Sequence, residues 1–357
     1  MKRATIHFGL YREGMKQLSG PGILLTMLLS LIALSPPSEE ILDYLGDFEY
    51  YVKTGYPGVP FKVGFEDLFP DAQRLMLLVA PILVFLAFRF VFRREETDFY
   101  LSIPVSRRSL LVTMLWVALS WTVIVLAVQT AFTLGLYAIF PHLYRVDYGD
   151  VLLKMGGHLM LNLRTAAVMA MACVFCGTTV MTVIMAVFLQ YLPIYFFEKQ
   201  LSFYHDLLTW LSQPVPKGAY AVERNLKAVQ SWDYFLKSGE LSVERVVFAA
   251  LVGIVFVVVA ITTFRFWKGE TAGRTAVSSK VLTVMQIGAS LMVMWQLKYD
   301  VLIFLLWALF AYLVIGFLAL GKWKRVLRTL KWYPLAIAVC LLPYATAGLL
   351  LGMGYIG

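Results

Sequence analysis

The sequence predicts an all-helical polytopic membrane protein, on three observations. Hydrophobic residues make up 60% of the 357 and charged ones only 15%, against roughly 45–50% and 25% in soluble domains. The apolar residues fall in runs near the ~20 needed to cross a bilayer as a helix, without the roughly ten-residue alternation of a membrane barrel. The short polar stretches on one side of those runs are basic, whereas the other side carries longer segments, the first of them acidic. Helices are the expected spanning element because lipid offers the backbone no hydrogen-bond partner.

Taken in order, residues 1–20 read as a cytosolic amphipathic interfacial helix, with Ile6, Leu10 and Met15 set among basic residues and no signal-peptide pattern. A six-span core is expected over residues 21–267. Its spans are Pro21–Ser35, Gln73–Phe92, the long Ser109–Phe140, two sharing Gly156–Phe197 with a turn near Cys176-Gly177-Thr178, and Val246–Trp267. A basic linker, 268–280, leads to a C-terminal membrane extension over 281–357, with apolar runs at Val281–Leu297, Asp300–Leu320 and Trp332–Met353. That makes nine spans, with eight as the alternative.

Orientation follows from the Lys and Arg residues of the short loops. With the N-terminus inside, the inner segments hold Arg12 and Lys16, then Arg93, Arg94, Arg107 and Arg108, then Lys268 and Arg274, then Lys324, Arg325, Arg328 and Lys331. The first outer segment, 36–72, is acidic. The second, 198–245, carries "QLSFYHDLLTWLSQ", where Leu201, Tyr204, Leu208 and Leu211 recur at helical spacing. That piece reads either as a helix at the outer membrane surface or as a cap on the bundle.

Several patterns lead nowhere. "GFLALGKW", Gly316–Trp323, has Trp where a phosphate loop needs Ser or Thr, and no strand precedes it. The Cys173/Cys176 pair lies in an apolar run with no second pair, and the four histidines lack metal-ligand spacing. No nucleophile elbow or intramembrane carboxylate pair is present. The chain is not expected to be an enzyme or to hold a cofactor itself, and no nucleic-acid partner is expected.

The informative stretch is "RREETDFYLSIPVSRRSLL", Arg93–Leu111, between two apolar runs. As a helix it sets Arg94, Glu95, Asp98 and Leu101 on one flank, with Phe99 free to face lipid or neighbours. Pro104 ends that helix, and Ser106 is placed to cap the next one ahead of Arg107-Arg108. A plain cytoplasmic hairpin needs no acidic cluster, since carboxylates contribute little to topology. Glu95, Glu96 and Asp98 therefore suggest a dock for a basic cytosolic partner.

This stretch resembles the coupling segment of type-two ATP-binding-cassette exporter permeases of the Gram-positive bacterial type. There an acidic "E-x-D" precedes "LPVSR" and a long third span; Ile103 stands here where Leu is usual. A second match is "FRFWKGETAGRTAV", Phe264–Val277, and the likeness covers roughly residues 1–275. Six-span members end near there, so the C-terminal extension departs from the pattern.

The resemblance implies the transmembrane subunit of an ATP-driven exporter in the bacterial cell membrane, for peptides, lantibiotic-like or other amphipathic compounds. It also implies a second permease subunit, identical or homologous, and a cytosolic ATPase that supplies ATP and magnesium. Arg94, Glu95, Glu96, Asp98, Phe99, Leu101 and Pro104 would form the ATPase dock.

Within the apolar runs, Asn162, Arg164 and Gln190 are candidates for a substrate path. The competing reading is an interhelical lock to backbone groups. A secondary transporter and a non-transport scaffold or sensor subunit remain the alternatives for the whole chain, although no convincing internal repeat is present.

Overall fold

The computed structural model describes residues 6–34, 61–64, 68–69, 72–139, 144–191, 243–264, 279–294, 301–320 and 323–339. Most of segments 36–72 and 198–245, residues 268–278 of the linker, and the end of the last run, with Cys340, lie outside the described residues. The described part is mostly helical and divides into two compact units. One comprises residues 1–89, 103–170 and 235–265, and the other 90–102, 171–234 and 266–357.

Helices α1 (Phe8–Gln17) and α2 (Ser19–Ala33) open the first unit, bent by 48° at Leu18. The bend has a covalent cause. Pro21 lacks an N–H, and its ring excludes the carbonyl four residues back, at Gln17, where α1 ends.

The same rule corrects the expected span Gln73–Phe92, which is not one continuous helix. It divides into α3 (Ala72–Met76), α4 (Val79–Ala87) and a 3-10 turn at Arg89–Val91. Pro81 places the break at Leu77, again four residues upstream. At about 1.5 Å per residue, α4 covers only part of a bilayer.

The next element, α5, spans Arg94–Ser102, and the longest, α6, spans Arg107–Ala138. Ser106 has extended backbone angles, and its hydroxyl accepts the Ser109 amide at 3.1 Å, so it is the N-cap that the sequence suggested. At 32 residues α6 is about 48 Å long, well beyond the roughly 30 Å hydrocarbon core.

The surplus length has a partner. Helices α1 and α2 lie along α6 in order: the His7 amide bonds Thr113 Oγ1 at 3.0 Å, Tyr11 donates to Ser120 at 2.9 Å, and Trp121 Nε1 donates to the Met15 carbonyl at 2.9 Å. The N-terminal helix is thus fastened to the first turns of α6. Helix α4 packs on α6 as well.

Two short strands, β1 (Phe61–Val63) and β2 (Tyr144–Val146), pair in parallel with Phe61 opposite Tyr144. One precedes α3–α4 and the other precedes α7 (Tyr148–Phe175), which places both at one end of this unit. It is the end the charge pattern assigns to the outside.

Asp147 caps α7 by accepting the Asp150 amide at 3.2 Å, while its own amide bonds the Val63 carbonyl at 3.0 Å. The cap starts α7 eight residues ahead of the expected Gly156. The helix stops at Phe175, and the next, α8 (Thr179–Tyr191), follows a break at Cys176-Gly177-Thr178, where the turn was expected. Cys173 and Cys176 are both buried and free. Helix α9 (Val243–Phe264) completes the first unit and packs on α6.

In the second unit α10 (Ser279–Met294) and α11 (Val301–Leu320) pack as a pair, followed by α12 (Trp323–Thr329) and a 3-10 turn at Leu330–Trp332.

Among the described residues, α6 and α7 are long and apolar enough to cross a membrane, and α1–α2 makes a third as one bent span. Their outward faces are apolar too: Leu24, Met27 and Leu31 on α2, Trp116, Val123 and Val128 on α6, and Leu251, Ile254 and Val258 on α9 are all exposed. Exposed apolar surface on this scale suits lipid tails better than water.

Close approach of α2 and α6 depends on Gly22, because a Cβ there would overlap the Trp121 ring. Gly22→Ala is expected to cost about 1–3 kcal/mol through overpacking, read as a lower melting temperature in detergent. Pairing it with Trp121→Leu should give a loss smaller than the sum of the two single changes.

Candidate functional sites

Helix α5 begins with Glu95 and Glu96 in its first turn, where carboxylates favour the positive helix end. Thr97 fixes it. The Thr97 side chain is fully buried, and its hydroxyl bonds the Phe90 carbonyl and lies 2.9 Å from that of Arg93. One turn on, Tyr100 is buried against Phe90 with ring centroids 4.8 Å apart. Glu96 is half-buried and pairs with Arg93 at 3.2 Å.

Outward on the helix stand Glu95, Asp98 and Phe99, the last 63% exposed and edge-on to Tyr100, with Ser102 exposed at its end. The first three share one face by their i, i+3 and i+4 spacing. Leu101 is half-buried and Pro104 exposed. The flank expected from the sequence is therefore narrower: Glu95 and Asp98 keep it, Phe99 joins it, and Leu101 turns partly inward. The helical position of Arg94 is described, but its side chain is not. An exposed acid pair beside an exposed aromatic ring, on a helix pinned from behind, can bind a basic, partly apolar groove.

The candidate path residues divide between the two units. Asn162 and Arg164 lie on α7 in the first unit, and Gln190 on α8 in the second. Asn162 is fully buried, and both ends of its amide are engaged. Oδ1 accepts the Ala80 amide at 3.1 Å, and Nδ2 donates to the His158 carbonyl at 2.9 Å. Ala80 is in the first turn of α4, whose N-cap Leu78 offers no side-chain acceptor. Asn162 thus caps α4 from a neighbouring helix, which is the geometry of a lock.

Arg164 is 2% exposed, and α9 approaches its backbone closely: a Cβ on Gly253 would lie 3.3 Å from Arg164 Cα. Gln190 is buried, and among the described residues its Oε1 has no hydrogen-bond partner.

Two further polar locks are present, of which the one at Gln129 escaped the sequence reading, while Gln286 stands out there as a polar residue in an apolar run. In the first unit Gln129, wholly buried on α6, donates to the Leu29 carbonyl at 3.1 Å and accepts from Ser30 at 3.2 Å. A lone Gln in an apolar run was the available signal. In the second unit Gln286 on α10 donates to Thr329 Oγ1 at 3.2 Å and lies 3.3 Å from the Tyr312 carbonyl. Tyr312 in turn donates to the Thr329 carbonyl at 2.6 Å, and Ser290 bonds the Ala308 carbonyl at 3.1 Å.

Compared with known proteins, the chain matches no family model, no curated protein and no solved structure.

Removing the Asn162 side chain leaves the buried Ala80 amide without its acceptor. Asn162→Ala is expected to cost about 1–3 kcal/mol, measured as thermal stability in detergent; unchanged stability would contradict the lock. Thr97→Val keeps the volume and loses the hydroxyl, so it should loosen α5 by about 1 kcal/mol. Hydrogen exchange across residues 94–102 should then quicken about five-fold.

Proposed function

We propose that this chain is the transmembrane subunit of an ATP-driven exporter, in which α5 docks onto a separate cytosolic ATPase. The observation that carries the reading is the division of labour on α5. Thr97 and Tyr100 are spent on anchoring, and Glu95, Asp98 and Phe99 are left exposed. The resemblance of Arg93–Leu111 to a coupling segment, followed by a capped and over-long α6, supports it. So do the apolar outward faces of α2, α6 and α9.

In this reading two such subunits, identical or homologous, form the translocation path in the bacterial cell membrane, with the N-terminus in the cytoplasm. The ATPase binds ATP and magnesium, and ATP drives its closure. The closure moves α5 and the helices continuous with it in the chain, which changes the side to which the path opens. Cargo of the peptide, lantibiotic-like or otherwise amphipathic class would travel between the subunits, with Arg164 as the candidate path residue of the first unit. Asn162 would hold α4 in place.

The test is co-purification of the full-length chain with candidate ATPases from its own host, solubilised gently. A stoichiometric ATPase is expected with the native chain. Reversal of Glu95, Glu96 and Asp98 to Lys should remove it while leaving the elution profile of the permease unchanged, because none of the three is buried in the unit. An ATPase that stays bound to the reversed chain, with transport intact, would refute the dock. Absence of any ATPase from the folded native chain would favour a secondary transporter or a scaffold subunit.

A further inference from the structure

The second unit ends in a basic element that the exporter reading leaves without a task. From Trp323 to Trp332 the chain carries Lys324, Arg325, Arg328 and Lys331, and no acidic residue occurs from Val301 to the end of the chain. Val326 is fully buried, and Thr329, Leu330 and Tyr333 are half-buried, which makes a stripe at helical spacing that faces the unit's own helices. The Gln286–Thr329 and Tyr312–Thr329 hydrogen bonds clamp that stripe in place. Tyr333 adds a 2.7 Å bond to the Leu305 carbonyl.

The opposite face is the charged one. Lys324, Arg328 and Lys331 follow at i, i+4 and i+7 and are exposed, as is Arg325. Beside them stand exposed Trp323, Leu327, Trp332 and Leu335, at 54%, 55%, 45% and 46%. The depth of this element is set by what precedes it. Helix α11 is 20 residues long, about 30 Å, which is the thickness of the hydrocarbon core, and all but Gly316 are hydrophobic. Only two residues separate its end from Trp323, whose ring folds back onto Phe317 with centroids 5.0 Å apart. Lys331 Nζ lies 5.7 Å from the Trp332 ring centre.

Tryptophan beside lysine and arginine, held at the end of a bilayer-length helix, matches the headgroup layer in both polarity and charge. We propose that Lys324, Arg325, Arg328 and Lys331, flanked by Trp323 and Trp332, form a surface that binds the headgroups of anionic phospholipids. The charge complementarity is one-sided, because a zwitterionic headgroup returns a cation to the same surface. The membrane is the occupant favoured over an acidic protein, since the exposed tryptophans and leucines flank the cations at headgroup depth. The clamp at Thr329 means the face is presented ready-made, without ordering on contact.

This inference rests on the membrane reading of the chain, and the experiment separates the two. The full-length protein is reconstituted in phosphatidylcholine vesicles carrying a trace of chain-spin-labelled phosphatidylglycerol or phosphatidylcholine, and the motionally restricted fraction of each label is measured. The native chain is expected to prefer phosphatidylglycerol by about five-fold, the effect of roughly one engaged cation. The preference should shrink in high salt.

Lys324→Gln, Arg325→Gln, Arg328→Gln and Lys331→Gln combined should bring it near parity. Exchanging Lys for Arg and Arg for Lys at the same four positions should keep it, as should Arg12→Gln with Lys16→Gln. Equal restriction of the two labels by the native chain would overturn the proposal, and so would a preference that survives the four glutamines, which would leave the cations to an acidic protein. No restricted component for either label would instead overturn the membrane reading itself.

Discussion

Apolar surroundings leave each polar group on these helices dependent on the chain itself for a partner, and the arrangement of the first unit follows from that constraint. Helix α6 meets it in two ways. Thr113, Thr122, Thr130 and Thr133 return their hydroxyl protons to the carbonyls one turn back, which satisfies those donors within the helix. Thr113 also accepts the His7 amide, while Ser120, Trp121 and Gln129 reach outward to α1 and α2. Those outward bonds fall in chain order along both partners, so they fix register as well as adhesion. Asn162 extends the scheme by supplying α4 with the cap that its own sequence, Leu78 and Val79, cannot provide.

Glycine accompanies several of these close approaches, for a steric reason. A helix can deliver a backbone group to a neighbour's side chain only if nothing stands between them. Gly22 lies against Trp121, Gly253 against the Arg164 backbone, and Gly316 against Gln286, where a Cβ would collide with the amide nitrogen and with Val326. Helix association without a hydrophobic driving force depends on this kind of packing. The two units share the device while differing in what it holds: a long mast with its satellites in one, and a helix pair that clamps a basic element in the other.

Local features were legible in the sequence, and long-range pairings were not. The Ser106 cap, the break at Cys176-Gly177-Thr178 and the short helix after Arg93 are each set by neighbours within a few residues. The prolines were legible in principle as well. Pro21 and Pro81 each mark a break four residues upstream, at Gln17 and Leu77, and Pro334 follows the passage from α12 into a 3-10 turn at Leu330. Apolar run length alone joined Gln73 to Phe92, because hydropathy averages over a break that costs no hydrophobicity. The β1–β2 pairing, the Asp147 link to Val63 and the Gln129 lock join residues roughly 80–100 positions apart. No periodicity within one segment encodes those partners. At the candidate dock the acids were legible as charges, whereas the inward role of Thr97 and the outward turn of Phe99 required the packing around Phe90.

That packing bears on how a helix can serve two tasks at once. A surface that must both hold its own fold and recognise another protein is constrained twice at each position. Helix α5 avoids this by alternation: Thr97 and Tyr100 face Phe90, and Glu95, Asp98 and Phe99 face away, so the two tasks fall on different residues of nine. The anchoring bonds go to backbone carbonyls at Phe90 and Arg93, which persist whatever side chains stand there. Its exposed positions can then vary without loosening the anchor.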